Sequence, residues 1–281
     1  MLPTKPQSII NVYFGSIKAC KTLFIPLLPI SIVWFILNTA PDLLHITSLN
    51  AAMQLGASLF LAYVLETFCL CWGICFVYAK IAKQDARYKT ALKTTAKKFL
   101  QTLILLVITA VTCIIAMTAL LAAVLLLFKA INYFLPIGDL AYIILFALIA
   151  IPTTLFFLFP VACCFIVSQM EILLRNAEIY SAIKKAIKIS FKIESVWKIS
   201  GFIVATTLLA ATILTPCLAL MWLSNLINSK LANSELTSVI INLPISFILA
   251  STFLPLYVTA SIYFYNDLIL RFETKNYSKN I

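Results

Sequence analysis

Six long apolar runs, separated by short polar or basic segments, restrict what this chain can become. Several reach or pass the roughly 20 residues a helix needs to cross the hydrocarbon core of a bilayer. In hydrocarbon, backbone N–H and C=O groups must be satisfied within each helix or around a closed barrel. Alternating strand patterns are scarce, so an all-α bundle is expected over a barrel. Composition agrees: 63% of the residues are hydrophobic and 11% charged, far from the balance of a soluble domain.

The formal charge of +11 raises the possibility of nucleic acid, but the placement of the cations speaks against it. All of the 21 Lys and Arg residues except Lys129 and Lys230 lie in the N-terminal segment, two alternate breaks and the C-terminal tail. That asymmetry fixes membrane orientation, and it predicts six transmembrane helices with both termini in the cytoplasm. The same cations suit anionic headgroups. The expected partner is therefore a lipid bilayer with anionic lipids at its cytoplasmic face.

The expected spans are about Leu23–Leu37, Gln54–Ala79, Phe99–Phe128, Ala141–Gln169, Ile199–Leu223 and Val239–Phe264. The first is read as an uncleaved span rather than a signal peptide. Pro26 and Pro29 predict a kink or a broken first turn there. Prolines recur in most later spans, where they serve as transporter-like breaks or are simply tolerated.

Ser181–Lys198 reads SAIKKAIKISFKIESVWK. At 3.6 residues per turn Lys184, Lys185, Lys188 and Lys192 gather on one face. Ile179, Ala182, Ile183, Ala186, Ile187, Ser190, Ile193 and Trp197 fall on the other. A related stretch precedes the third span: Lys89, Lys93 and Lys97 are four apart, with Tyr88, Leu92, Ala96 and Phe99 on the neighbouring face. These lysines are candidate contacts for anionic lipid, or they fix topology alone.

The order amphipathic segment, span, outer turn, span, charged exit occurs three times, over about 1–87, 88–178 and 179–281 of one membrane domain. Three helix hairpins, each preceded by an amphipathic helix at the cytoplasmic face, are expected. The exits align MEILLR at Met170–Arg175 with NDLILR at Asn266–Arg271. Glu171 thus matches Asp267 and Arg175 matches Arg271, and acid and base four apart can pair on one helix face.

Glu66 is the sharpest polar feature inside a span. A carboxylate there must be protonated, paired or facing water. Its expected state is neutral and hydrogen-bonded, to Asn242 or to a Ser or Thr of another span. A proton- or substrate-handling role stands beside that structural one. Cys69, Cys71 and Cys75 suggest a soft-metal site on spacing, but without a further ligand they read as apolar filler. No HExxH, G-x-S-x-G or P-loop occurs, and His45 is the sole histidine. No enzyme activity, cofactor or metal is expected.

The lead-in Ala186–Lys198 and the exit Tyr265-Asn266-Asp267-Leu268-Ile269-Leu270-Arg271-Phe272-Glu273 carry a family likeness. The chain resembles bacterial six-span inner-membrane families: the YciC-like proteins and the membrane domain attached to some glycerophosphodiester phosphodiesterases. The resemblance implies an inner-membrane location. It does not imply phosphodiesterase activity, which needs paired His and acidic residues. The expected function is a non-enzymatic envelope or lipid-associated accessory factor. The alternatives are a small transporter or channel using Glu66, and a membrane-embedded lipid-modifying enzyme.

Overall fold

The computed structural model describes residues 2–43, 51–82, 86–134, 160–192, 197–198, 200–202, 204, 211–212, 215–216, 219, 222 and 235–277. Helices α1 (Ile9–Leu43), α2 (Ala51–Ile81), α3 (Tyr88–Phe134), α4 (160–175), α5 (Ile179–Ser190) and α6 (Glu235–Tyr277) are numbered in chain order. No strand occurs among the described residues. Most of the fourth and fifth expected spans lies outside them, as do His45 and the side chain of Asn242.

Among the described residues four helices are long and apolar enough to cross a membrane, through Ile9–Leu37, Tyr63–Ile81, Tyr88–Leu127 and Ser251–Glu273. The most apolar of them, on α3, is only 11% buried, whereas the least apolar, on α6, is 72% buried. A fold stabilised by water would bury its most apolar helix first. The inverted order is what a hydrocarbon surround permits, because lipid solvates Val, Ile and Leu as well as a core does.

Two lead-ins differ from the expected separate helices. Helix α1 runs without a break from Ile9 through Pro26 and Pro29 to Leu43. Likewise α3 carries the Lys89–Lys97 segment and the span as one helix of 47 residues, about 70 Å at 1.5 Å per residue. No breaker separates lead-in from span at either junction. Only the third lead-in, α5, closes on its own: Phe191 N–H returns to the Ile187 carbonyl and Lys192 N–H to that of Ile189.

The described residues form two compact units. One comprises Met1–Leu100, Leu173–Arg175 and Gly201–Ile281. In it α1 packs most extensively against α6, and then against α2. Leu27 and Ile30 of α1, Ile74 and Val77 of α2, and Leu254, Val258 and Ile262 of α6 are fully buried. Gly73 allows the α2–α6 approach: a Cβ there would lie 3.1 Å from Val258 Cγ2 and 3.7 Å from Leu254 Cδ2. The other unit comprises Gln101–Ile172 and Asn176–Ser200. Leu105, Ile172 and Ala182 form its centre, with Phe165, Ala177, Ile179 and Ile183 packed around them.

Candidate functional site

The polar groups with the most developed geometry tie helices to one another and to the segments that lead into them. In the first unit, Asp267 of α6 is almost fully buried. Gln7 N–H donates to Asp267 Oδ1 at 2.6 Å, and Arg271 Nε donates to Asp267 Oδ2 at 2.9 Å. A second guanidinium nitrogen of Arg271 donates to the Gln7 carbonyl, and Asn266 Nδ2 donates to the Pro3 carbonyl at 2.9 Å. Residues 3–7 thus dock against α6 at Asn266–Arg271. Charge-assisted bonds of this kind are stronger than neutral ones.

The start of α3 is gripped differently. The Tyr88 ring stacks on Phe76 of α2, its centroid 4.5 Å away and the planes 5° apart. Trp72 Nε1 donates to the Tyr88 carbonyl at 3.2 Å, and the Tyr88 hydroxyl donates to the Pro26 carbonyl at 2.7 Å. One turn on, the buried face of α3 is Ala91, Thr95 and Thr102, while Leu92 and Ala96 are exposed. That differs from the apolar face read from periodicity: small residues permit closer helix approach than Leu does. Lys89, Lys93 and Lys97 are exposed. Lys98, half-buried, donates to the Leu173 carbonyl at 2.7 Å, and so satisfies a carbonyl in the last turn of α4.

In the second unit, Lys185 Nζ meets Glu171 Oε1 at 2.7 Å, with side-chain exposures of 27% and 4%. The three lysines of α5 therefore do not act alike. Lys185 braces the helix against α4, whereas Lys184 and Lys188 are exposed. Lys184 Nζ lies 6.0 Å from the Tyr180 ring centroid, at the edge of cation–π range. Ala182, Ala186, Ile189 and Ser190 form the packed stripe, and Tyr180, Ile187, Phe191 and Trp197 are exposed. Within the first unit, Arg175 forms a longer, exposed pair of 3.4 Å with Glu273.

The Lys185–Glu171 pair is expected to show its value in a double-mutant cycle. Lys185→Met alone strands a buried carboxylate and should cost on the order of 2 kcal/mol by denaturation. Adding Glu171→Met should recover most of that loss. Equal losses in the single and double variants would show that the pair contributes nothing.

Glu66 is half-buried on α2 and has no ion pair among the described residues. It lies near enough to Tyr257 of α6 and to Cys69 to interact electrostatically. Cys69, Cys71 and Cys75 are buried as thiols, and no three potential metal ligands converge among the described residues. Periodicity did not reveal Gln7, Asn266, Tyr88 or Lys98. Their partners are too far along the chain to follow from any local pattern.

Apolar helices of membrane-crossing length, with no strand among the described residues, define a helical chain of membrane-protein type. Comparison with protein-family models, curated proteins and solved structures finds no match to this chain.

Proposed function

We propose that this is a six-span inner-membrane protein with both termini in the cytoplasm, acting as a non-enzymatic, lipid-associated accessory factor. The observation that carries the reading is the inverted order of burial, with the most apolar helix the least covered. The charge asymmetry of the breaks supplies the orientation.

The threefold repeat gains support from its contacts. Asp267, in the third exit, holds the segment that leads into α1. Glu171, in the second exit, holds the lead-in α5. In the first repeat no exit carboxylate is seen in this role; Trp72 and Phe76, further back along α2, hold Tyr88, the start of the second lead-in. Two of the three lead-ins are thus held by an exit carboxylate.

Lipid association rests on α5, where Lys184, Ile187 and Lys188 stand exposed, with exposed Phe191 directly after its end. Cations near an anionic leaflet contribute about 1 kcal/mol each, and aromatic side chains favour the interface. Reporter fusions at both termini should read cytoplasmic. Mass spectrometry of co-purifying lipids should show a smaller anionic share for Lys184→Ser/Lys188→Ser. A reporter outside the cytoplasm would overturn the topology, and an unchanged lipid share would remove the role of α5.

A further inference from the structure

A cavity of about 670 Å³ opens in the first unit. Gly15, Lys18 and Thr22 of α1 form one wall, Lys80 in the last turn of α2 another, and Gln7 and Tyr263 line it as well. Its size is that of a typical small-ligand site, roughly 300–1,000 Å³. Lys18 and Lys80 both line it, and no acid is among its described lining residues. Neither lysine has an acidic partner among the described residues.

The cavity is held open by fixed elements. Gln7 is pinned through its backbone to Asp267 and Arg271. A Cβ at Gly15 would lie 3.1 Å from Tyr263 Cε1, so glycine lets that ring lie close against α1. An apolar ridge continues from the mouth: Ile25, Ile32 and Ile36 follow Lys18 and Thr22 at helical spacing, and Ile25 is 79% exposed. From Ile25 to Ile36 the ridge is about 16 Å long, close to half the roughly 30 Å hydrocarbon thickness. Cations at a helix end, above an exposed apolar ridge one leaflet deep, match an amphiphile better than a free ion.

We propose that this cavity binds the phosphate headgroup of an anionic phospholipid, with Lys18 and Lys80 clasping the phosphate and an acyl chain lying along Ile25, Ile32 and Ile36. The inference rests on the membrane reading and adds a lipid site distinct from the α5 lysines.

The test is thermal stability of the detergent-purified full chain, titrated separately with phosphatidylglycerol, phosphatidylcholine of equal chain length, and inorganic phosphate. Phosphatidylglycerol should raise the midpoint saturably, while the other two leave it in place. Lys18→Gln/Lys80→Gln should weaken the apparent affinity roughly thirtyfold, as expected for two near-surface cations. Lys18→Arg/Lys80→Arg should retain it. Ala19→Leu, which fills the cavity and keeps both cations, should also weaken binding and serves if the glutamine variant fails to fold. Equal stabilisation by inorganic phosphate would reassign the site to a soluble anion and overturn the lipid assignment. Equal stabilisation by phosphatidylcholine, or an unaltered response in both the glutamine and leucine variants, would also overturn it. The titration is read in detergent, so a terminal reporter outside the cytoplasm would overturn the six-span topology without altering its result.

Discussion

Asp267→Ala is expected to destabilise the protein by on the order of 3 kcal/mol, the first of two effects that would identify its structural supports. The carboxylate is 2% exposed and accepts from both the Gln7 amide and Arg271. Removing it leaves a backbone N–H and a guanidinium without that acceptor, in a place where water cannot replace it freely. Arg271 is one-third exposed, which keeps the loss below that of a fully buried pair. Asp267→Ala/Arg271→Leu should therefore be more stable than Asp267→Ala alone. Hydrogen exchange gives a local readout, since the Gln7 amide should lose its protection in the single variant. Retained protection would show that the segment is held by something other than this carboxylate.

The second large effect is expected at Gly73. Alanine there gains up to about 1 kcal/mol of helix propensity but brings its Cβ within 3.1 Å of Val258 Cγ2. These terms nearly cancel, so Gly73→Ala should sit close to wild type. Leucine adds three more carbons to the same gap and should cost about 3 kcal/mol, because α2 and α6 must separate or repack. Val258→Ala in the Gly73→Leu background should restore part of the loss. Thermal denaturation in detergent reads all three variants. A stable Gly73→Leu protein would mean that the two helices do not meet at this point.

Local pattern and long-range contact were unequally legible in this chain. Hydropathy alone located the four apolar helices seen among the described residues, and the 3.6-residue period placed Ala182 and Ala186 on the packed stripe of α5. The continuity of α1 through Pro26 and Pro29 was not legible, because proline's cost depends on what surrounds the helix. Nor was the packed face of α3, which lies toward Ala91 and Thr95 rather than Leu92. In a bilayer the large apolar residue can face lipid, and small Ala91 and Thr95 take the interface. Asp267 and Arg271 stood out as a pair four apart, but their hold on Gln7 spans more than 260 residues. Nothing periodic encodes such a contact. The cavity between Lys18 and Lys80 was hidden in the same way, each lysine reading as one more topology charge.

The grip of α6 on residues 3–7 also has a consequence for biogenesis. A ribosome delivers α1 and α2 long before Asn266, Asp267 and Arg271 exist, so the amino-terminal segment waits undocked through most of synthesis. The middle of the chain can gather its own core around Leu105, Ile172 and Ala182 meanwhile. The unit built from α1, α2 and α6 is completed last, by the final helix to emerge. Nascent chains arrested before Asp267 should therefore be the ones that quality-control proteases recognise, with α1 inserted but its leading segment still unclaimed.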